Sequence, residues 1–190
     1  MQNKVLIAGA SGLVGTAAAI SFTRAGWPVV AASRRCPELL DDANIEFVTM
    51  DLQDKEACAA ACRKLKGVTH VVYTAVYELP GLVAGWSDPN QIRTNGQMLE
   101  NLLVSLTQSN QLQHVTLLQG TKAYGAMVGP MRVPARESQP RVEHPNFYWV
   151  QEDFLRDHAK RQDYTITILR PQMIVGPNHG VVMNLPPVVG

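Results

Sequence analysis

Val5-Leu6-Ile7-Ala8-Gly9-Ala10-Ser11-Gly12-Leu13-Val14-Gly15 is the stretch that decides the fold. Its four opening apolar residues have the pattern of a strand buried on both faces, as parallel strands are. Three glycines follow at G-x-x-G-x-x-G spacing and open an apolar helix from Leu13 to about Ala25. Each glycine has its own use. Gly9 permits the tight strand-to-helix turn, Gly12 lets backbone approach a pyrophosphate, and Gly15 lets the helix pack closely on the strand. The N–H groups of the first helical turn, around Ser11, Leu13 and Val14, then suit phosphate. A glycine triplet alone is weak evidence and can be a plain structural turn. Here a strand precedes it, a helix follows, and a second strand, Val29-Val30-Ala31-Ala32, lies beyond, which is the context dinucleotide binding requires.

Strand and helix patterns alternate along the rest of the chain. A third strand, Glu46–Met50, precedes a helix at Lys55–Lys64; a fourth, Thr69–Thr74, precedes a long helix from about Gln91 to Gln108. A fifth strand, His114–Leu118, is followed by a proline-rich loop from Gly125 to Pro145. A helix from Phe147 to about Lys160 then leads to a sixth strand, Thr165–Arg170. This order predicts an α/β fold: a doubly wound, mostly parallel Rossmann sheet with helices on both faces, as one unit over residues 1–190.

The 17 Lys and Arg against 16 Asp and Glu leave a net charge of +1, which points to neither nucleic acid nor an anionic membrane surface. No apolar run approaches the length that spans a bilayer, and because the N-terminus reads straight into the first strand, no signal peptide is expected. Three cysteines are too few for a disulfide framework, so a reducing cytoplasm is the expected location. Cys58 and Cys62 lie four apart on one helix and read as small helix residues, there being no His or further Cys nearby to complete a metal site. His144, His158 and His179 are scattered without metal-ligand spacing, and His70 and His114 read as core or edge histidines of their strands. The chain stops in the apolar run Asn184–Gly190, and the expectation is a piece of a longer protein.

The second strand ends in Ser33-Arg34-Arg35, the position that meets the adenosine ribose in such folds. An acid there bonds a free hydroxyl, whereas arginine accommodates a 2′-phosphate, so the pair argues for NADP(H). Read otherwise, they are two solvated arginines. Asp51, after the third strand, is placed to reach the adenine amino group or to serve as a helix N-terminal acid. Leu52, Thr74, Ala75 and Ile174 are taken with it as cofactor-lining residues, the last in a segment, Arg170–Pro177, just past the sixth strand.

Tyr148, opening a helix after the long loop, is the candidate acid. In short-chain dehydrogenases a lysine follows such a tyrosine by four residues; here that residue is Glu152. Lys122, at the carboxyl edge after the fifth strand, is the available substitute: an ammonium near Tyr148 would depress its pKa and hold the nicotinamide ribose, while an exposed loop lysine is the other reading. Tyr124 is a rival acid that more readily shapes its turn. Trp86, Pro89 and Trp149 either line the substrate mouth or pack locally.

Taken in order, Gly9–Gly15, Ser33-Arg34-Arg35, Val68–Tyr73, Gly120-Thr121-Lys122-Ala123-Tyr124-Gly125, Asn146-Phe147-Tyr148-Trp149 with Glu152-Asp153, and Arg170-Pro171 with Gly176-Pro177 resemble the extended short-chain dehydrogenase/reductase superfamily, and within it the progesterone 5β-reductase and iridoid synthase group. The resemblance covers the whole chain. It implies Lys122 and Tyr148 as catalytic residues and NADPH-dependent reduction of activated carbon–carbon double bonds, mostly in enones. Tyr148 would stabilise the enolate oxygen and Lys122 would assist, with no metal. Trp149 stands where the group has a second tyrosine. Members of the group continue into helices that cap a small-molecule substrate, and this chain is expected to lack most of that cap. Sugar-nucleotide epimerases and dehydratases share the fold but ordinarily need the lysine that Glu152 replaces; a non-catalytic NADP(H)-binding domain is the remaining reading. The Gln91–Gln108 helix offers an interface for a homodimer.

Overall fold

β1 (Val5–Ala8) is wholly buried and pairs in parallel on both sides. Its neighbours are β2 (Val29–Ser33), with Val5 opposite Val29, and β4 (His70–Tyr73), with Val5 opposite His70. β3 (Ile45–Thr49) lies outside β2; β5 (His114–Leu118) and β6 (Thr165–Leu169) extend the sheet beyond β4. The order is β3-β2-β1-β4-β5-β6, all parallel, which is the doubly wound Rossmann-like sheet expected from the sequence. The computed structural model describes residues 3–37, 45–79 and 84–176. The readings placed on Pro177, His179 and the 184–190 run lie outside the described residues.

Side-chain alternation along β1 divides the core. Val5 and Ile7 meet α1 (Leu13–Arg24), while Leu6 and Ala8 meet a larger cluster built by α2 (Lys55–Lys64), α3 (Pro89–Thr107) and α4 (Phe147–Gln162). Leu99, Leu102, Leu103 and Leu106 of α3 are fully buried, each contributing about 1.5–3 kcal/mol of apolar burial. Cys58 and Cys62 pack into the same cluster, both fully buried.

The ends of the elements differ from the sequence reading for local reasons. α3 starts two residues early, at Pro89, because Asp88 accepts the N–H groups of Asn90 and Gln91, and proline at the first helical position gives up no needed donor. β4 loses Thr69 and Thr74, whose hydroxyls bond the backbone of Lys4 and Ala8 instead. α4 runs on to Gln162 and stops at Asp163, left-handed at φ 54°. Among the described residues no helix is long and apolar enough to cross a membrane. The winding reverses between β1 and β4, and a crevice opens there above the carboxyl ends of the strands.

Candidate active site

Gly9 is held at φ +86°, where a Cβ would lie 2.7 Å from the backbone nitrogen of Ala75 on the neighbouring strand's exit. A Cβ on Gly15 would overlap the carbonyl oxygen of Gly9, so α1 and the turn can touch only through glycine. Gly12 is different: its φ is −84°, and a Cβ would come no nearer than 3.3 Å to Gly9 O. Folding asks little of Gly12; what its hydrogen leaves open is the approach to the crevice. The start of α1 also lacks a side-chain cap at its N-cap residue. Asp54, Asp88 and Asn146 cap α2, α3 and α4 with their side chains, whereas Gly12 puts no side chain over the first N–H groups of α1. Uncapped helix starts of this kind suit an anion.

The crevice has a volume of about 450 Å³. Of the residues singled out in the sequence it is lined by Gly9, Ser11, Gly12, Ser33, Arg34, Asp51, Leu52, Thr74 and Ala75. Arg34 borders it; Arg35 does not, and contributes a carbonyl that accepts the Ser33 hydroxyl at 2.6 Å. Asp51 accepts the N–H of Gln53 at 3.0 Å. Leu13, Val14 and Gly15 form the first turn of α1 behind the crevice. Ile174 lies in the segment after β6, which comes back to α1 where Gly176 packs on Leu13.

Further along the same edge, β5 gives way to Gln119, Gly120 and a 3-10 turn, Thr121–Tyr124, closed by Gly125 at φ +83°. That turn carries Lys122; the first turn of α4 carries Tyr148. Asn146 ties them together: its Oδ1 accepts the N–H of Tyr148 at 3.0 Å, and its Nδ2 donates to the carbonyl of Lys122 at 3.2 Å. The Tyr148 hydroxyl lies over Gly120, 3.3 Å from where a Cβ would stand. Trp86 faces both side chains, with the Lys122 ammonium 3.1 Å from its ring centroid and the Tyr148 ring edge-on at 5.4 Å.

The Trp86 indole donates to Glu78 at 3.1 Å. Glu78 is presented by an extended segment that α3 holds like a strand: Asn95 bonds both the N–H and the carbonyl of Tyr77, and Gln91 accepts the N–H of Leu79. Its carboxylate has electrostatic consequences. Burial lowers the pKa of Lys122 to about 8, with Glu78 opposing the fall. Burial raises the pKa of Tyr148 and Glu78 adds to the rise, contrary to the lowering by Lys122 expected from the sequence: burial and a carboxylate prevail. At neutral pH the site therefore presents an ammonium and a protonated phenol, a donor ready for an oxygen that gains negative charge.

Sequence reasoning passed over Glu78, Gln119 and the tethering role of Asn146. Asn146 carried a signal, an N-cap residue directly before an apolar helix start. Glu78 carried none. Tyr124 sits beneath the Arg170 guanidinium, 5.1 Å from ring centroid to Cζ, and Trp149 is flanked by Arg141 at 4.7 Å. Among the described residues no group of three or more His, Cys, Asp or Glu is placed to hold a metal ion.

A parallel sheet with a glycine-lined turn at its switch point defines a Rossmann-type domain of the short-chain dehydrogenase/reductase kind. The chain belongs to the NAD dependent epimerase/dehydratase family, whose model matches residues 5–188. It is 30% identical over 197 residues to (S)-8-oxocitronellyl enol synthase of Catharanthus roseus, covering 97% of this chain and 48% of that protein. It is 32% identical over 200 residues to 3-oxo-Delta(4,5)-steroid 5-beta-reductase of Arabidopsis thaliana, covering 97% of this chain and 49% of that protein. The chain thus spans about half the length of these relatives. Among solved structures, Bordetella bronchiseptica WbmH in complex with NAD+ superposes with a TM-score of 0.74 at 23% identity, over 100% of this chain and 62% of that one. A UDP-glucose 4-epimerase gives 0.74 at 18% identity, over 92% and 53%. At these identities the likeness to solved structures is one of fold.

Proposed function

We propose that this chain carries the NADP(H)-binding and catalytic part of a reductase acting on carbon–carbon double bonds conjugated to a carbonyl. The observation that supports it most is the pairing of Lys122 and Tyr148 on one indole and one asparagine at the carboxyl edge, with a carboxylate where the usual lysine stands. A dinucleotide fits the residues present. Gly12 and the uncapped start of α1 suit the pyrophosphate, Asp51 the adenine and Arg34 a 2′-phosphate. When bound, the nicotinamide supplies the hydride. The rest of the chemistry belongs to the chain. Tyr148, held as a phenol, donates a hydrogen bond to the substrate carbonyl oxygen and stabilises the enolate charge that develops there. Lys122 brings positive charge to the same place. Glu152 argues against the epimerase and dehydratase chemistry found elsewhere in the family, which the resemblance links to a lysine at that position.

The test is a titration with NADPH and with NADH followed by nicotinamide fluorescence, with and without 2-cyclohexen-1-one. A single oxyanion donor is worth about 3–4 kcal/mol, so Tyr148→Phe is expected to cut turnover by about a hundredfold or more while NADPH affinity stays within about twofold. A Tyr148→Phe protein that reduces the enone at the parent rate refutes the assignment.

A further inference from the structure

Glu152 lies one helical turn beyond Tyr148, and it is only 4% exposed. A buried carboxylate is costly unless it is paired, and this one is paired three times. Its Oε1 takes Arg156 at 2.9 Å and Arg141 at 3.3 Å; its Oε2 takes Arg170 at 2.7 Å. Burial pulls its pKa upward, but the Arg156 hydrogen bond and the charges of Arg170 and Arg156 outweigh burial and hold it below the ordinary carboxylate value. It is an anion at the centre of a guanidinium cluster.

A hydrogen-bonded path leads from the cluster toward the candidate catalytic residues. Arg170 uses Nη2 on Glu152 and Nε on the Oε1 of Gln119, at 2.9 Å. Gln119 is likewise 4% exposed, and its Nε2 donates to the main-chain carbonyl of Tyr148 at 3.0 Å. The polarity of this path is forced. A guanidinium only donates, so the Gln119 oxygen must face Arg170 and its amide hydrogens must face Tyr148. The main chain of Gln119 also donates to Leu169 O at 2.8 Å, joining the exits of β5 and β6. The Tyr148 turn is thereby held from both sides, its N–H by Asn146 and its carbonyl by Gln119.

We propose that Glu152 is a positioning residue for Tyr148, acting through Arg170 and Gln119 to set the phenol-bearing turn over Gly120. In this chain the residue one turn after the tyrosine no longer meets the reacting groups; it fixes where the tyrosine stands. The catalytic meaning of that position rests on the reductase reading above, but the positioning itself does not.

The experiment uses protein labelled with 13C at the tyrosine ζ carbon. The chain has five tyrosines, and the Tyr148 resonance is identified by its loss in Tyr148→Phe. Glu152→Gln and Gln119→Leu are each expected to move the Tyr148 resonance, and the double variant to move it no further than Gln119→Leu alone, as links in one path do. A purely structural ion cluster lowers the melting temperature in Glu152→Gln and leaves that resonance where it was. In the enone assay each variant is expected to lose about ten- to hundredfold in kcat, the scale of a small misplacement, with the NADPH KM unchanged. An unmoved resonance in the folded variants overturns the proposal, as do shifts that add in the double variant. Should Glu152→Gln fail to fold, Arg170→Gln, which breaks the link between Glu152 and Gln119, takes its place: an unmoved Tyr148 resonance there overturns the proposal. If Tyr148→Phe leaves turnover intact, the reductase reading fails and the resonance still judges the positioning.

Discussion

The three glycines of the first turn occupy physically different places, so alanine at each should fail in a different way. At Gly9 an alanine must adopt φ +86°, which costs about 1–2 kcal/mol, and its methyl meets the Ala75 backbone at 2.7 and 2.8 Å. Backbone must then shift, for about 1–3 kcal/mol more. The sum is about 2–5 kcal/mol, and at about 2–4 °C per kcal/mol for a chain of this length the melting temperature falls by roughly 5–20 °C. Gly15→Ala gains a little helix propensity but drives its methyl into the Gly9 carbonyl, so it too is destabilised. Gly12→Ala has an ordinary φ and one tight contact of 3.3 Å; replacing an N-cap glycine by alanine costs under about 1 kcal/mol.

Gly12 nevertheless borders the crevice at the start of α1, where it supplies no side-chain cap. A methyl there keeps a pyrophosphate from the N–H groups, removing one or two charge-assisted hydrogen bonds of about 1.5–3 kcal/mol each. The dissociation constant for NADPH should therefore rise at least about tenfold in Gly12→Ala. Melting curves without ligand and fluorescence titrations with NADPH separate the two effects. Gly12→Ala should melt within about 4 °C of the parent and bind poorly, whereas Gly9→Ala and Gly15→Ala should melt early. Unimpaired NADPH binding by Gly12→Ala refutes placement of the pyrophosphate over this turn.

Other expectations follow from the same geometry. Arg34 borders the crevice and Arg35 does not, so Arg34→Ala should reduce the preference for NADPH over NADH by about tenfold or more and Arg35→Ala far less, as paired titrations would show; equal losses would contradict the placement. With its pKa lowered by burial to about 8, Lys122 loses its proton as pH rises through that value, so kcat/KM should fall on the alkaline side near pH 8. Glu78 opposes that lowering, and Glu78→Gln should move the alkaline limb to lower pH; a limb that stays in place would mean the two charges do not sense each other. Burial lowers the pKa of His70 and of His114, and the charge of His114 lowers that of His70 further. The unfolded chain then takes up these protons first, so their stabilising contribution is present above the ordinary histidine pKa of about 6.5 and is lost as pH falls from there through their lower folded-state values. Urea midpoints at pH 7 and pH 5 measure the loss, and an NMR titration of His114→Asn should show the His70 pKa raised.

Legibility in the sequence followed the range of the forces involved. β1, the glycine turn and α1 were readable because each depends on neighbours within a few residues: apolar runs, a turn that needs positive φ, a helix start without a capping side chain. The placement of Lys122 and Tyr148 was readable because one follows β5 and the other opens α4, both at one edge of the sheet. Which arginine of the Arg34-Arg35 pair borders the crevice was not readable, since adjacent residues at a strand exit diverge and only the fold decides. Nor was Glu78, whose direction is imposed by Gln91 and Asn95 from a helix that begins later in the chain.

Glu152 shows the difference most sharply. Its i,i+4 relation to Tyr148 and Arg156 is written in the helix period, and from that alone the residue registers only as a missing lysine. Its burial is decided by Arg170, reached through β6, and by Arg141, reached through the long loop. A carboxylate on that face without those cations would have to be protonated or solvated, and the turn bearing Tyr148 would lose its hold on Gln119. Glu152 and its three arginines therefore stand or fall together. If Lys122 supplies the ammonium, as proposed, position 152 is free to carry architecture: the buried anion orders Arg170, Arg170 fixes the Gln119 oxygen, and the Gln119 amide is thereby aimed at the Tyr148 carbonyl.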